Sequence, residues 1–511
     1  MLQISQIVDL FGKETSIKIE ILSYLKKKKN WVLLDELSSE LNMTTRTITK
    51  YLTFIEEDIH SFSLDTEIQL DHYGSKGYFL RYDFAPALED LYFKMIKSTV
   101  HYQILIQIFF SSNTSIIQFS QENYISEASL WRIINDFRKR LGPRGISIER
   151  RSLELTGNEY QIRRFTFLLL FTSYMKGEWL YSKTTKLITE KIMQKMVKFF
   201  HLSLSDFQYK DLFCMIAVIV ERTKTDEMIS LTKELLEEIE GNDLFDTFYN
   251  YLNGVLPKKM EQRDEVGFLY LYLFTKDVVF NDTFIWNKFL AFHHKRKTEL
   301  YQSVEAFKRI YIYEQNYSVS KDDLSIINKS LYSTHLYCQL FGNVNSNHSD
   351  IILDPRIYTN KSVSPELKNR TVELIDALYK ETKLSIFKET NYLMSIYPIL
   401  LKMIVPIQKI EESFKILFIS DLSNLAELYL IRTIKNEFKG IFKLEIYTHY
   451  DSLHEIHSLD LLISTKKASI SEFSSVPTIV IPKDPTRLDF YILEMKIREI
   501  MRNKKAELPS N

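Results

Sequence analysis

Glycine and proline are scarce in this sequence, and this scarcity limits the possible folds more than any other feature. The 511 residues include only 12 Gly and 11 Pro, whereas an average chain has about 7% Gly and about 5% Pro. Because these residues end helices and form turns, their rarity predicts long helices with short connections. The sequence also contains no G-x-G-x-x-G, no G-x-x-x-x-G-K-[ST] and no G-x-S-x-G motif, which excludes Rossmann, P-loop and α/β-hydrolase sites.

Charge and cysteine content narrow the class of protein further. Lys+Arg and Asp+Glu are both 66, so nucleic-acid binding would need a local basic patch. Cys214 and Cys338 are too few for a disulfide framework or a zinc cluster. The N-terminus lacks the pattern of a secretory leader, and the apolar runs at 165–171 and 212–220 are about half of a ~20-residue membrane helix. We therefore expect a soluble, cytoplasmic protein without a membrane segment, cofactor or metal.

The first third of the chain contains the pattern of a helix-turn-helix followed by a wing. A short helix at 33–41 precedes a tight break, and Thr44 is a good N-cap for a longer helix at 45–59. One face of the longer helix is apolar, and the other is small, polar and basic, as in helices that contact the major groove. Residues 66–82 are predicted to form two strands with Lys76 at their turn. The predicted DNA-contacting residues of the helix are Thr45, Arg46, Thr49 and Lys50.

The same arrangement recurs in a second segment. Ser126 caps a helix at 126–141 whose apolar stripe has the spacing of the first one, and residues 146–157 alternate like a hairpin. Segment 126–164 has nine basic and five acidic residues, a net charge of +4 in a neutral chain. One such helix is equally well explained by a solvated outer face, but two matched copies favour DNA binding. The predicted contacting residues of this segment are Trp131, Arg132, Asn135, Arg138, Arg150 and Arg151.

The rest of the chain is predicted to consist of a helical middle and a small α/β unit. Residues from about 165 to 405 show mostly helical apolar spacing, in two similar halves. From residue 414 strands alternate with helices, which indicates a small, mostly parallel sheet flanked by helices. The predicted strands are 414–420, 442–449, 459–465 and 477–483, and the predicted helices are 424–438 and 489–503.

This order of elements resembles the Mga/AtxA family of bacterial virulence regulators over essentially the whole chain. The segment Thr44–Leu52, T-T-R-T-I-T-K-Y-L, is similar to the reading helix of that family and of other bacterial winged helices. The resemblance implies a mainly α fold with two winged helix-turn-helix domains, two all-α phosphotransferase-system (PTS) regulation domains and an enzyme-IIB-like α/β domain. The implied domains span 1–85, 86–164, 165–285, 286–408 and 409–505.

The resemblance also implies control by histidine phosphorylation in the regulation domains. The four positions that usually carry the histidines are occupied by Met215, Tyr272, His335 and Ile396. His335 is therefore the first candidate for phosphorylation, with a structural histidine as the competing interpretation, and His201 is the second candidate. A phosphohistidine adds about two negative charges, which can change packing between domains. PTS phosphocarrier proteins would be the implied donors.

The enzyme-IIB-like domain departs from enzymes IIB at their reactive position. Those enzymes have a phosphorylated Cys in the loop after the first strand, whereas the loop 420–424 reads S-D-L-S-N. The domain is therefore expected to serve assembly, and the resemblance implies a homodimer or higher homo-oligomer through it. His454 and His457 have the spacing of a metal-binding pair, but no third ligand lies nearby in sequence, so no metal site is predicted.

Together these features predict a transcriptional regulator, an activator rather than an enzyme, that binds double-stranded DNA through two winged helices. Three alternatives remain open. An RNA-binding antiterminator would have small β-sheet modules in front of such regulation domains, which the helical N-terminus does not fit. A PTS-related phosphoryl carrier would need the missing Cys. A scaffold whose winged helices bind proteins would have no affinity for DNA.

Overall fold

The computed structural model describes the chain in thirteen segments. These segments are 8–74, 76–110, 116–122, 124–150, 153–224, 228–314, 319–342, 365–404, 413–439, 441–448, 451, 459–466 and 476–506. The chain divides into two compact units. The first comprises 1–315, 320–361 and 374–396, and the second comprises 316–319, 362–373 and 397–511.

The first unit begins with a winged helix. The predicted cap is confirmed, because the Thr47 backbone N–H donates to Thr44 Oγ1 at 3.2 Å. Ile48, Leu52 and Ile55 are fully buried, which confirms the predicted stripe. The two strands of the wing pair antiparallel. The elements are α1 (Lys13–Lys28), α2 (Leu34–Glu40), α3 (Thr45–Ser61), β1 (Ile68–Tyr73) and β2 (Gly77–Tyr82).

A second winged helix follows and repeats this design. The Ser129 backbone N–H donates to Ser126 Oγ at 3.2 Å, and the stripe through Leu130, Ile134 and Phe137 is fully buried. The predicted hairpin is present, with shorter strands than in the first wing. The elements are α4 (Ala85–Lys97), α5 (Val100–Phe110), α6 (Ile116–Glu122), α7 (Glu127–Leu141), β3 (Ile146–Ile148), β4 (Leu155–Gly157) and α8 (Glu159–Met175).

The middle of the chain is helical, as predicted. Helix α10 packs against α8 and α9, and α16 packs against α13 and α15. None of the described helices combines the length and apolar composition needed to cross a bilayer. The elements are α9 (Lys183–Phe199), α10 (Asp206–Arg222), α11 (Lys233–Glu237), α12 (Asp243–Leu252), α13 (Arg263–Phe274), α14 (Thr283–Arg296), α15 (Glu299–Phe307), α16 (Lys321–Phe341), α17 (Pro365–Thr382) and α18 (Thr390–Ile404).

The second unit contains the predicted parallel sheet, with strand order β6-β5-β7-β8. Its core joins Ile416 and Ile463 of the strands to Ile434 and Ile497 of the flanking helices. The strand predicted at 442–449 is limited to four residues, because only these pair with the neighbouring strand. The elements are β5 (Phe414–Ile419), α19 (Asn424–Glu437), β6 (Leu444–Tyr447), β7 (Leu461–Ser464), β8 (Thr478–Val480) and α20 (Arg487–Ala506).

Candidate nucleic-acid interface

Helix α3 presents all four of its predicted contacting residues to solvent. The Thr49 hydroxyl donates to the Thr45 carbonyl at 2.9 Å, so its position on the helix is fixed. Lys50 Nζ lies 5.1 Å from the centre of the Phe54 ring, which holds the ammonium near the helix surface. The exposed residues of this face are Thr45, Arg46, Thr49 and Lys50.

The first wing carries its predicted lysine among aromatic rings. Lys76 is exposed, and its Nζ lies 5.9 Å from the Trp31 ring centre and 5.7 Å from the Tyr73 ring centre. Trp31 also contacts Phe79 of β2, with 5.6 Å between the ring centroids. The wing therefore offers a cation on a small aromatic platform, a combination that can contact phosphates and sugars of a nucleic acid.

Backbone contacts hold this wing against the segment between α1 and α2. Val32 and Tyr78 exchange two N–H···O hydrogen bonds, both of 2.8 Å. Gly77, at the start of β2, has a φ of +89°, and a Cβ there would lie 2.1 Å from the Val32 carbonyl oxygen. Glycine is needed at this position both for the left-handed conformation and for the close approach.

The predicted residues of helix α7 fall into two groups: some are exposed to solvent, and Arg138 is bonded to the neighbouring wing. Arg132 and Asn135 are exposed, and Trp131 is partly exposed. Arg138 is half-buried: its Nε donates to the Ile148 carbonyl of β3 at 2.8 Å, and its Nη1 donates to Asn135 Oδ1 at 3.1 Å. Arg138 therefore ties the helix to its wing as well as presenting charge.

The electrostatic setting of Arg138 differs from that of the exposed cations. Burial lowers the pKa of its guanidinium, and the like charge of Arg150 lowers it further. Arg150 is exposed next to the second wing, whereas Arg151 lies outside the described residues. Arg132 and Arg150 are therefore the two exposed guanidinium groups among the described predicted residues of the second winged helix.

Each of the two helix-turn-helix turns contains an equivalent serine-to-carbonyl hydrogen bond, which the sequence pattern had not indicated. The Ser38 hydroxyl donates to the Met43 carbonyl at 2.5 Å, and the Ser120 hydroxyl donates to the Ile125 carbonyl in the same way. Each serine stands six residues before the cap of its reading helix. The equal spacing of serine and cap could have predicted this hydrogen bond from the sequence, and it shows that the two turns have the same construction.

Helix α8 connects the second winged helix to the helical middle through buried charges. Arg163 is fully buried and donates to both carboxylate oxygens of Glu265 on α13, each at 2.7 Å. Its Nε donates to Glu159 at 2.8 Å. Arg222 of α10 donates to the same Glu159 at 2.7 Å. This cluster, called the Arg163 cluster below, fixes the start of α8 against α10 and α13.

The two candidate phosphorylation sites differ strongly in exposure. His335 on α16 is fully buried; its Nδ1 lies 2.8 Å from Ser303 Oγ, and burial lowers its pKa to about 3. A donor protein cannot contact this imidazole in the described arrangement. His201 precedes α10, its side chain is 69% exposed, and its Nδ1 lies 2.9 Å from the Asp282 carboxylate.

The loop after β5 in the second unit provides no cysteine nucleophile. Ser420 donates to Glu427 Oε2 at 2.5 Å. Asp421 accepts from Lys483 at 2.8 Å, and this hydrogen bond holds the pKa of the carboxyl below its usual range. Cys214 and Cys338 are buried in the first unit, where burial raises their thiol pKa values.

No group of three or more potential metal ligands is found among the described residues. His454 and His457, the pair with metal-like spacing in the sequence, lie outside those residues.

Comparisons with known proteins identify a helix-turn-helix domain and similarity to positive regulators. The Mga helix-turn-helix domain family matches residues 86–171, which include α7, its wing and the start of α8. The anthrax toxin expression trans-acting positive regulator of Bacillus anthracis is 23% identical over 235 residues, covering 46% of this chain and 48% of the relative. The capsule synthesis positive regulator AcpB of the same organism is 21% identical over 224 residues, covering 44% and 45%.

A third relative, the capsule synthesis positive regulator AcpA of Bacillus anthracis, is 23% identical over 167 residues, covering 33% of this chain and 34% of the relative. The chain thus spans about half, or less, of the length of the curated relatives it matches. These matches support the predicted resemblance to the Mga/AtxA family of regulators. These three relatives are named as positive regulators.

Proposed function

We propose that this protein is a DNA-binding transcriptional activator of the Mga/AtxA type, acting in the cytoplasm. The observation that carries the proposal is the matched construction of the two reading units, with the same cap, stripe and turn and a basic outer face on each. Three relatives are named as positive regulators, which supports activation. The net charge of +4 over 126–164 supports duplex DNA as the partner.

The exposed residues divide into two proposed roles. Arg46 and Arg132 lie in the first turns of their helices, where a guanidinium can reach guanine edges in the major groove. Lys76 on the first wing and Arg150 next to the second wing contact phosphates, and Arg151, which lies outside the described residues, is assigned the same role from the sequence pattern alone. Positions without bidentate base contacts neutralise charge and contribute little sequence preference, so DNA shape is read alongside base edges.

Titration of a labelled duplex of about 40 base pairs, followed by fluorescence anisotropy at several salt concentrations, tests this proposal. The logarithm of the affinity should fall linearly with the logarithm of the salt concentration, by ~0.9 for each phosphate neutralised. Arg132→Ala should weaken binding by ~1–3 kcal/mol if this residue contacts a base bidentately.

Lys233→Ala is the matched control for this titration, because it removes one exposed positive charge from α11 in the helical middle. Its affinity and salt dependence should equal those of the unmodified chain. Absence of binding at low salt would reject the DNA-binding proposal and favour a scaffold. Unchanged affinity in both Arg132→Ala and Lys50→Ala would reject the assignment of the reading helices.

We further propose that the second unit joins two chains into a homodimer. Helices α19 and α20 contact each other through Phe438 and Phe490, with ring centroids 6.3 Å apart. Both expose large apolar side chains, and Leu425 and Tyr429 of α19 are 80% and 73% exposed. Exposed apolar surface of this kind is typical of an interaction site, and the family resemblance makes a second copy the partner.

The double substitution Leu425→Asp/Tyr429→Asp should convert the dimer to a monomer, since each copy would place charges in an apolar interface. Sedimentation velocity at several protein concentrations measures the change. Tyr313→Asp, which alters a 55% exposed residue of the first unit, is the control and should leave the dimer intact. A dimer that persists in the double variant would place the interface elsewhere.

Control by histidine phosphorylation is proposed at His201 ahead of His335, with PTS phosphocarrier proteins as donors. The ranking rests on exposure, because a donor protein must approach the imidazole. Incubation with a phosphocarrier protein that already carries a radiolabelled phosphoryl group should label the chain, and His201→Ala should remove the label whereas His335→Ala should not. The opposite pattern would show that the core around α16 opens, and absence of label in the unmodified chain would reject this mode of control.

A further inference from the structure

The turn of the first helix-turn-helix ends α2 with the Schellman pattern of backbone hydrogen bonds. The Asn42 N–H donates to the Ser39 carbonyl at 3.4 Å, and the Met43 N–H donates to the Ser38 carbonyl at 3.1 Å. The central residue of this pattern adopts the left-handed conformation, where glycine is the commonest residue and asparagine is the usual alternative. Asn42 follows this rule, with a φ of +51°.

The second turn has the same hydrogen bonds but a tyrosine at the central position. The Tyr124 N–H donates to the Gln121 carbonyl at 3.4 Å, and the Ile125 N–H donates to the Ser120 carbonyl at 3.1 Å. Tyr124 has a φ of +53°. This region is unfavourable for a bulky residue, because its Cβ lies too close to a backbone carbonyl. Tyrosine therefore destabilises the second turn relative to asparagine.

The Tyr124 side chain does not offset this strain by packing within the chain. The residue is 98% exposed, and its hydroxyl makes no hydrogen bond with any residue that the structure describes. Neither burial nor internal hydrogen bonding therefore accounts for a tyrosine at this position. Strained backbone positions of this kind cluster at sites that contact a ligand or partner.

Tyr124 lies at the end of the second helix-turn-helix that would approach DNA. It stands two residues before Ser126, the cap of the 15-residue helix α7. In helix-turn-helix complexes the first turns of the reading helix enter the major groove, while the preceding helix crosses the phosphate backbone. The turn between them therefore faces the edge of the groove. The segment that follows, 126–164, has a net charge of +4, which makes a nucleic-acid phosphate the complementary partner.

We infer that Tyr124 contacts DNA and holds one phosphate at the edge of the major groove. Its hydroxyl donates to a phosphate oxygen, as tyrosine hydroxyls do in other protein–DNA complexes, and its ring lies against the neighbouring sugar. This contact positions α7 in the groove without reading a base. The inference rests on the proposed DNA binding, and it gives the second turn a contact that the shorter Asn42 does not give the first.

Anisotropy titration of the full chain with the labelled duplex tests the contact. Tyr124→Phe removes only the hydroxyl and should weaken binding about fivefold or more, since hydrogen bonds to charged groups are the stronger ones. Because tyrosine is uncharged, the dependence of affinity on salt should not change, whereas Arg150→Ala should reduce its slope by ~0.9. Tyr313→Phe, at a 55% exposed tyrosine of the helical middle, is the matched control and should bind normally.

The exchange of the two central residues tests the role of the strain. Tyr124→Asn should raise the urea midpoint of unfolding, because asparagine tolerates the left-handed conformation, and it should weaken DNA binding at least as much as Tyr124→Phe. The reverse substitution Asn42→Tyr should lower the midpoint. These opposite changes in stability and affinity are expected only if Tyr124 serves a partner and not the fold.

The outcomes separate this inference from the proposed function. Absence of DNA binding by the unmodified chain would reject both. Normal binding by the unmodified chain and by both Tyr124 variants would overturn the inference alone and leave the DNA-binding proposal intact. A lower urea midpoint in Tyr124→Asn would also overturn it, since the tyrosine would then stabilise the turn.

Discussion

Arg163→Met should lower the free energy of unfolding by about 3–5 kcal/mol, which is the usual cost of removing one partner from a buried ion pair. The loss exceeds that of a missing contact because Glu265 would remain as a fully buried carboxylate facing an apolar side chain. Glu265 also accepts the Ile229 backbone N–H at 2.9 Å, so it cannot readily turn to solvent. Urea unfolding followed by circular dichroism measures the change.

The double substitution Arg163→Met/Glu265→Leu separates the charge penalty from the loss of packing. Replacing both partners by apolar residues of similar volume is often neutral, but the Ile229 N–H also loses its acceptor, so the double variant should recover only part of the lost stability. Arg296→Met, at the end of α14 where the guanidinium donates to the exposed Glu240 carbonyl, is the control and should change stability little. A loss below about 1 kcal/mol in the single variant would contradict the prediction.

Gly77→Ala should destabilise the first winged helix by about 3–4 kcal/mol, in the upper range for single substitutions. The new Cβ would lie 2.1 Å from the Val32 carbonyl oxygen and 2.7 Å from its carbon. Both atoms belong to the backbone, so relief requires the pairing between Val32 and Tyr78 to break. Hydrogen exchange at the Val32 and Tyr78 amides, together with urea unfolding, measures the effect, and DNA affinity should fall as the wing shifts.

Gly177→Ala is the matched control for this substitution. Gly177 follows α8 with a φ of +84°, and nothing lies within 4 Å of the position of its Cβ. Alanine at this position would adopt the unfavourable left-handed conformation without a steric clash, which lowers the free energy of unfolding by about 1–2 kcal/mol. The difference between the two variants therefore isolates the clash. Equal losses would show that backbone conformation, and not the contact with Val32, accounts for the glycine.

The local parts of the fold could be predicted from sequence because they depend on residues close together in the chain. Thr44 and Ser126 cap their helices, and the stripes that follow are buried, since helical spacing and capping are set within a few residues. The alternation of strands and helices after residue 414 was sufficient for the parallel sheet. Strand ends were less predictable, because pairing of residues 444–447 depends on a partner elsewhere in the chain.

Parts of the site that depend on distant partners could not be predicted. Nothing near Arg138 in the sequence indicates that its guanidinium donates to the Ile148 carbonyl, because that contact needs the folded wing. The same holds for Arg163 and Glu265, which are 102 residues apart. The burial of His335 could not be inferred from its motif, since exposure depends on the elements that pack over α16.

Helix α8 determines how the second reading unit can move. It is one uninterrupted helix of 17 residues, about 25 Å long at 1.5 Å per residue. The Arg163 cluster and a 2.6 Å hydrogen bond from Gln161 to the Phe341 carbonyl of α16 hold its first turns, while Ser173 near its end contacts the Tyr102 hydroxyl of α5 at 2.7 Å. The second winged helix is therefore joined to the helical middle by a rigid helix and not by a flexible linker. It can reach a new site on DNA only if the helical middle moves with it, or if the ion pairs of the Arg163 cluster at the start of α8 break.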